Sequence, residues 1–205
     1  MPPAPAQALI GELRATIADE RVLGAIASVP RERFVAPELR EHAYDNVALP
    51  IGHEQTISQP LVVARMLALL QVGPGDRVLD VGTGSGYHAA LMARLGAHVW
   101  SVERNPTLSA AAAVVLKELG IVTVTCTVGD GTLGLPEQAP FDAINVAASA
   151  AQIPAALERQ MAIGGRLVVP VGTSEQYLVR VARSANGWQR ERYEPVRFVP
   201  LIGAG

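Results

Sequence analysis

Three glycines at alternate positions form the most chemically informative turn in this 205-residue chain. Gly82, Gly84 and Gly86 follow the apolar run 77–81, which includes the acidic residue Asp80. Glycine has no Cβ and accepts positive φ, so the backbone of such a turn can approach a ligand closely. A buried strand, a glycine turn and a helix together form a nucleotide-binding corner at the carboxyl end of a parallel strand. The pattern therefore predicts a nucleotide-like ligand at this turn.

The spacing of these glycines favours S-adenosylmethionine over a dinucleotide. Dinucleotide-binding turns follow the pattern G-x-G-x-x-G, whereas the interval between Gly84 and Gly86 is one residue shorter. The turn resembles the first motif of class I methyltransferases, whose cofactor carries a sulfonium cation and an α-amino group. A carboxylate such as Asp80 attracts both positive groups. From the turn alone, an NAD(P) or FAD site and a purely structural turn remain open.

Two further acidic residues follow the next two predicted strands. Glu103 ends the run 97–103, at the place where a carboxylate accepts hydrogen bonds from the ribose hydroxyls of a bound nucleotide. Asp130 follows the alternating run 122–128 and could accept a hydrogen bond from the adenine amine. Taken singly, Glu103 could be a solvated strand end, and Asp130 with its following glycine could be a simple turn. Three acids at successive strand ends point to one ligand-binding edge.

Hydrophobic periodicity alternates between strands and helices along most of the chain, which predicts an α/β fold. The expected elements are strands at 77–81, 97–103, 122–128, 142–147 and 166–171, with helices at 106–119 and 154–162. Period-two alternation over 176–183 and 188–199 flanks Asn186-Gly187, the strongest short hairpin signal. We therefore predict a doubly wound, mainly parallel seven-stranded sheet of the Rossmann-like methyltransferase type, with an antiparallel C-terminal edge strand.

The N-terminal part of the chain is predicted to be helical. Helical periodicity covers residues 6–28 and is followed by a second short helical stretch. We expect residues 1–55 to form a helical extension packed on a single domain that includes all 205 residues. The stretch 49–52 is interpreted as a loop, and a helix should begin near Pro60 with Ser58 as its N-cap.

Composition excludes several classes of partner. The formal net charge is −2 and the pI is about 6.1, so the chain lacks the basic surface expected for nucleic acid or anionic membranes. No apolar run approaches the roughly twenty residues that span a bilayer, and the N-terminus lacks the features of a signal peptide. One cysteine, Cys126, and four histidines without metal-ligand spacing are typical of a cytoplasmic protein with no metal ion. We expect a monomer.

Nine sequence blocks resemble, in order, the signature blocks of the protein-L-isoaspartate O-methyltransferases. The most specific is Thr56-Ile57-Ser58-Gln59-Pro60, because generic methyltransferases lack it. The other blocks lie at 29–35, 43–45, 82–87, 101–104, 129–131, 140–144, 164–172 and 196–201. The resemblance covers residues 22 to 203. It implies the same Rossmann-like methyltransferase fold that the hydrophobic pattern predicts.

The resemblance implies methyl transfer from S-adenosyl-L-methionine to the α-carboxyl of L-isoaspartyl residues in damaged peptides and proteins, with S-adenosyl-L-homocysteine as product. The methyl ester then closes to a succinimide, which can reopen as normal aspartate. Ser58 is implied as the active-site residue. The cofactor-binding set consists of Thr56, Ile57, Ser58, Asp80, Gly82, Thr83, Gly84, Ser85, Glu103, Arg104, Asp130, Gly131 and Ala147.

The implied chemistry suits the residues that are present. A carboxylate with an unperturbed pKa of about 4 is ionised at neutral pH, so methyl transfer to it needs no general base. A hydroxyl such as that of Ser58 can donate a hydrogen bond to this carboxylate without burying another charge. The plainer interpretation is that Ser58 only caps the helix after it.

Three positions depart from the family pattern. Ala147 stands where the family usually has a threonine, although a hydroxyl could return at Ser149, and Asn145 replaces a commonly apolar residue. Leu61 stands where many relatives carry an aromatic residue or a histidine. These departures leave two alternatives open: a paralogue that modifies one dedicated peptide, and a non-catalytic S-adenosylmethionine-binding subunit.

Overall fold

The computed structural model describes residues 3–203, and nine strands and six α-helices lie within that range. The strands are β1 (Leu49–Gly52), β2 (Gln55–Ile57), β3 (Arg77–Val81), β4 (His98–Glu103), β5 (Val124–Val128), β6 (Phe141–Val146), β7 (Met161–Val171), β8 (Gln176–Ser184) and β9 (Gly187–Val196). The helices are α1 (Ala4–Arg14), α2 (Glu20–Ser28), α3 (Pro60–Leu70), α4 (Tyr87–Arg94), α5 (Pro106–Glu118) and α6 (Ala155–Arg159). Short 3₁₀ helices lie at Arg31–Phe34, Pro37–His42, Gly131–Leu133 and Pro136–Gln138.

Seven strands form the central sheet in the order β5-β4-β3-β6-β7-β8-β9. Strands β3 to β7 are parallel, and β8 is antiparallel to both of its neighbours. The predicted mainly parallel seven-stranded sheet with an antiparallel C-terminal edge strand is therefore confirmed. Because β8 reverses the chain, β9 again runs in the direction of the parallel strands, and the segment after Val196 leaves the sheet at their carboxyl edge.

Both faces of the sheet are covered. One face packs against the N-terminal helices through residues such as Val78 and Val168, which share a buried cluster with Leu13 and Leu67. The other face forms a second cluster in which Leu79 packs with Leu157 of α6. The β3 and β6 strands are central and almost wholly buried, and most of their residues are apolar, as expected of parallel strands with two covered faces. Asp80 and Asn145 are the buried polar exceptions.

The glycine turn joins β3 to α4 as predicted. Gly82, Gly84 and Gly86 all have positive φ, of 88°, 51° and 89°. At Gly86 a Cβ would lie only 3.1 Å from the Cβ of Ala112 in α5. Gly86 therefore serves the close packing of α4 against α5 as well as the turn itself.

The start of α3 differs from the sequence prediction. Its N-cap position is Gln59, and no side chain of the N-cap residue bonds to the helix. Instead the Asn46 side chain accepts a hydrogen bond from the Leu61 N–H at 3.0 Å. The prediction that Ser58 caps this helix is wrong, because a residue distant in sequence takes that role.

The stretch 49–52 is a strand rather than a loop. It pairs antiparallel with β2, and Leu49 lies opposite Ile57. The connecting residues His53 and Glu54 both have positive φ, 51° and 59°, as a type I′ hairpin turn requires. The sequence gives little sign of this hairpin, because neither residue is the glycine or asparagine that usually marks such a turn.

Candidate active site

A cavity of about 1390 Å³ opens at the carboxyl edge of the parallel strands. Its walls come from the β1–β2 hairpin with the residues around it, the glycine turn, the end of β4, and the segment after β9. Eleven of the thirteen residues predicted for the cofactor line it: Thr56, Ile57, Ser58, Gly82, Thr83, Gly84, Ser85, Glu103, Arg104, Gly131 and Ala147. Asp80 and Asp130 are absent from this lining.

The Glu103 carboxylate is held by main-chain donors on both sides. The Gly84 N–H donates to one carboxylate oxygen at 3.0 Å, and the Asn105 N–H donates to the other at 2.9 Å. Glu103 is only 7% exposed, and it lines the cavity. Since each carboxylate oxygen can accept more than one hydrogen bond, both oxygens keep capacity for a ligand diol, and the carboxylate is fixed before any ligand arrives.

Asp80 lies in a buried polar layer beneath the glycine turn. It accepts hydrogen bonds from Asn145 Nδ2 and Ser101 Oγ, both at 2.8 Å. Because the single Ser101 hydroxyl proton is used there, Thr83 Oγ1 must donate to Ser101 Oγ, 2.6 Å away. Burial raises the pKa of Asp80 to about 6, against the opposing effect of these two hydrogen bonds. Thr83, which lines the cavity, thus connects Asp80 to it.

The departure at Asn145 has a physical reason in this layer. Its amide donates to Asp80, so a polar residue in the middle of β6 satisfies a buried carboxylate. Its Oδ1 atom is buried without a hydrogen-bond partner among residues 3–203. The sequence predicts that Asp80 contacts the ligand, but the structure places it in the buried layer and not in the cavity wall. The sequence pattern alone does not reveal this burial.

Asp130 belongs to a turn at one end of the cavity. Its Oδ1 accepts the Thr132 N–H at 2.9 Å and the Thr132 hydroxyl at 2.6 Å. Gly203 packs so closely on this pair that a Cβ there would overlap both side chains. The neighbouring Gly131 does line the cavity, so the turn reaches the site through its backbone.

Ser58 follows β2 and lines the cavity. Its hydroxyl makes no hydrogen bond with any residue in the range 3–203, whereas its carbonyl accepts one from Arg31 Nη2 at 2.8 Å. The hydroxyl is therefore a donor available to a ligand, and the helix-capping interpretation no longer competes with this role.

Ser149 does not supply the hydroxyl that is missing at Ala147. The Ser149 hydroxyl donates to the Gly172 carbonyl at 2.7 Å, and Ser149 does not line the cavity. The expectation that Ser149 could return the missing hydroxyl is wrong, because a neighbouring strand end takes up that hydroxyl. Ala147 itself presents a methyl group to the cavity wall.

The segment 197–202 lines the cavity throughout, although none of its residues belongs to the predicted cofactor-binding set; from the sequence, the strand 196–200 is predicted to lie beside the substrate peptide at this edge. The Gln176 side chain holds it by accepting the Phe198 N–H at 2.7 Å and donating to the Phe198 carbonyl at 3.2 Å. The Ser149 backbone adds two hydrogen bonds, to the Val199 carbonyl at 2.8 Å and from the Leu201 N–H at 2.7 Å. The β8–β9 hairpin returns the chain to the carboxyl edge and so brings this segment to the cavity.

Other chemistries find less support in the part of the chain that the structure describes. No group of three or more His, Cys, Asp or Glu residues in it is arranged to hold a metal ion. None of its helices has the length and apolar character needed to cross a membrane. The cavity combines the fixed carboxylate of Glu103, backbone groups and available hydroxyls such as that of Ser58, which suits a ligand with a diol, a positive group and an apolar ring.

Comparison with known proteins gives consistent matches. Residues 4–204 match the family described as Protein-L-isoaspartate(D-aspartate) O-methyltransferase (PCMT). The chain is 52% identical over 192 residues to the protein-L-isoaspartate O-methyltransferase of Roseiflexus castenholzii, covering 93% of this chain and 88% of that protein. It is also 52% identical over 186 residues to the Vibrio cholerae protein of the same name, covering 91% and 89%.

A solved structure is similar over nearly the whole fold. It is a Plasmodium falciparum protein assigned as a protein-L-isoaspartate O-methyltransferase, in complex with S-adenosyl-L-homocysteine. The match has a TM-score of 0.84 at 29% identity and covers 95% of this chain and 97% of the other.

Proposed function

The chain belongs to the protein-L-isoaspartate(D-aspartate) O-methyltransferase family, and we propose that its carboxyl-edge cavity holds S-adenosylmethionine beside the carboxylate of an L-isoaspartyl residue. The enzyme methylates the α-carboxyl of L-isoaspartyl residues in damaged peptides and proteins. The single observation that carries the site assignment is the position of Ser58, whose free hydroxyl shares one cavity with the clamped carboxylate of Glu103.

Glu103 is proposed to bind the ribose. Its two oxygens are already oriented by the Gly84 and Asn105 N–H groups, and a fixed bidentate acceptor suits the two neighbouring hydroxyls of a ribose. The Gly131 backbone and the end of the segment 197–202, which leads to Gly203 packed on Asp130, would enclose the adenine end. The turn that contains Asp130 supplies the acceptor predicted for the adenine amine.

Asp80 is proposed to favour the cationic end of the cofactor from below. It is fully buried, and no basic side chain among residues 3–203 forms an ion pair with it. A buried carboxylate without a cation partner is costly, and a positively charged ligand close by reduces that cost. The residues present therefore fit S-adenosylmethionine, which when bound supplies a methyl group activated by a sulfonium.

Ser58 is proposed to bind and orient the substrate carboxylate. Its hydroxyl can donate to one carboxylate oxygen and leave the other oxygen directed at the methyl group. Because the carboxylate is already ionised at neutral pH, no side chain needs to remove a proton. Positioning and exclusion of water then supply the rate enhancement, and the apolar groups of Ala147, Phe198 and Leu201 in the walls serve the second purpose.

Methyl incorporation into a matched pair of peptides tests this proposal. One peptide carries L-isoaspartate, and its twin carries normal aspartate at the same position. Transfer of labelled methyl to the first and none to the second is expected. Transfer to neither peptide, with S-adenosylhomocysteine still bound, would indicate a non-catalytic subunit.

We further propose that the enzyme acts as a cytoplasmic monomer on many proteins. Every residue proposed to hold the cofactor or the substrate carboxylate belongs to this chain, so the proposed reaction uses no residue of a second subunit. Light scattering tests the mass. A comparison of isoaspartyl peptides with different flanking residues tests breadth, and a preference above about a thousandfold, or about 4 kcal/mol, would favour the dedicated-peptide paralogue.

A further inference from the structure

Arg31 is fully buried beneath the residues around Ser58. Full burial is unusual for an arginine. Its Nε donates to the Ala43 carbonyl at 2.8 Å, and its Nη2 donates to the Ser58 carbonyl at 2.8 Å. Ala43 precedes the β1–β2 hairpin and Ser58 follows it. One guanidinium therefore ties together the two ends of the segment that carries the hairpin.

The same guanidinium contacts the glycine turn. Its carbon lies 4.9 Å from the centre of the Tyr87 ring, and Tyr87 is the first residue of α4, directly after Gly86. A cation over an aromatic face is attracted by the ring electrons, and more strongly when both are away from water. Arg31 thus contacts both Ser58 and the residue that follows the glycine turn, and it fixes the distance between them.

The bond to the Ser58 carbonyl also determines where the next N–H points. The Ser58–Gln59 peptide is trans, so its C=O and N–H groups point in opposite directions. With the carbonyl directed down to Arg31, the Gln59 N–H is directed away from the buried layer. That N–H has no hydrogen-bond acceptor among residues 3–203, and Gln59 lines the cavity.

The charge of Arg31 is not neutralised by a neighbouring acid. No carboxylate in the part of the chain that the structure describes forms an ion pair with it, and its Nη1 has no hydrogen-bond partner there. The adjacent His88 adds no competing positive charge at neutral pH, because burial lowers its pKa to about 4. A lone buried cation raises the affinity of the space above it for an anion.

We propose that Arg31 is the positioning residue of this enzyme: it orients the Ser58–Gln59 peptide so that the Ser58 hydroxyl and the Gln59 N–H together receive the substrate carboxylate. This inference rests on the proposed role of Ser58. The proposed positioning role differs from a purely structural one, because loss of Arg31 should lower the rate of methyl transfer to the substrate carboxylate far more than the affinity for the cofactor.

The test is a double-mutant cycle of Arg31→Met with Ser58→Ala, measured as kcat and peptide KM together with the dissociation constant of S-adenosylhomocysteine. Arg31→Met should lower kcat/KM for the isoaspartyl peptide by about tenfold to a hundredfold, because a misplacement of about 1 Å can cost up to about a hundredfold. The affinity for S-adenosylhomocysteine should change by less than about threefold. In the Ser58→Ala background, Arg31→Met should lower kcat/KM by a factor at least about threefold smaller than in the wild-type background, because the effects of coupled residues are not additive.

Arg166→Met is the matched control. Arg166 also donates from Nε and Nη2 to two main-chain carbonyls, those of Leu70 and Gln71, both at 2.8 Å, but it lies outside the cavity lining. The Arg166→Met variant should be less stable than the wild type, and the kcat/KM of its folded form should stay within about twofold of the wild-type value. Activities are compared at a temperature where circular dichroism shows each variant folded. Arg31→Lys, which keeps the charge and can reach one carbonyl, should recover part of the loss.

Each remaining outcome has one meaning. Wild-type turnover in Ser58→Ala would remove the proposed role of Ser58 itself. If Ser58→Ala is slow as expected, two results would overturn the inference about Arg31 and leave the role of Ser58 intact. One is an unchanged kcat/KM in Arg31→Met; the other is an equal loss of kcat/KM from Arg31→Met in the wild-type and Ser58→Ala backgrounds. An equal loss of S-adenosylhomocysteine affinity would also overturn it, since Arg31 would then act by holding the cofactor turn.

Discussion

Replacing Asp80 by asparagine should stabilise the ligand-free protein at neutral pH. Burial raises the pKa of Asp80 from 3.8 to about 6, a difference of about two units, or about 3 kcal/mol at 1.36 kcal/mol per unit. Because the folded state binds the proton more tightly than the unfolded state, stability from this group is full below about pH 4. It is lost as the pH rises through 6.

The asparagine variant can satisfy the same buried layer. Its amide oxygen can accept the Ser101 hydroxyl, and its amide nitrogen can donate to Asn145 Oδ1, which lacks a partner in the range 3–203, once the Asn145 amide turns over. The substitution therefore removes the cost of the buried charge, and it exchanges one unpartnered atom of Asn145, Oδ1, for another, Nδ2.

Urea unfolding of both proteins between pH 4.5 and 8 measures this effect. The free energy of unfolding of the variant should exceed that of the wild type by an amount that grows with pH and approaches about 3 kcal/mol above pH 7. A difference that stays constant over this range would refute the reasoning, because a structural effect of the substitution has no reason to follow the titration of Asp80.

The variant should also bind the cofactor less well. Asp80 does not line the cavity and would act on the cationic end through a longer-range charge interaction, so the dissociation constant of S-adenosylmethionine should rise by about threefold to tenfold, less than for loss of a direct hydrogen bond to a charged group. Titration calorimetry measures it directly. Unchanged affinity together with the gain in stability would show that Asp80 serves neither the fold nor the proposed cationic end of the ligand.

Three further predictions concern single side chains. Glu103→Ala should weaken S-adenosylhomocysteine binding by about tenfold to a hundredfold, and calorimetry on the folded variant would exclude Glu103 from the site if the constant did not change. Ser58→Ala should lower turnover by about tenfold to a thousandfold with little change in S-adenosylhomocysteine affinity, as measured by steady-state kinetics and calorimetry. Gly86→Ala should destabilise the protein by about 1–3 kcal/mol, because it adds a Cβ 3.1 Å from Ala112 at a positive φ. Gly11→Ala, in α1 with nothing within 4 Å of the new Cβ, should instead stabilise it slightly, and thermal unfolding that showed equal shifts for both would contradict the packing argument.

The sequence predicted the parallel part of the fold well because its signals are local. Strand β3, the glycine turn and the start of α4 are adjacent in the chain, and Glu103 ends the next strand. The hairpin of β1 and β2 was missed because its turn residues, His53 and Glu54, adopt positive φ without the usual residue types.

The remaining errors concern contacts between residues that are distant in sequence. The cap of α3 is Asn46 rather than Ser58, and the Ser149 hydroxyl bonds to Gly172 instead of facing the cavity. The burial of Asp80 depends on Ser101 and Asn145 from two neighbouring strands. No pattern along one segment encodes such partners, so they become visible only in three dimensions.

The fixed carboxylate of Glu103 has a consequence for the enzyme's operation over time. Two main-chain N–H groups hold it in one orientation, and a ribose has the same hydroxyls before and after the methyl group leaves. In its proposed ribose-binding role, Glu103 would hold the spent cofactor as firmly as the fresh one, and such uniform binding would do nothing to expel product. Sustained repair would then require another activity in the cell that destroys S-adenosylhomocysteine, so that the rate of methylation follows the ratio of the two cofactor forms rather than the supply of either alone.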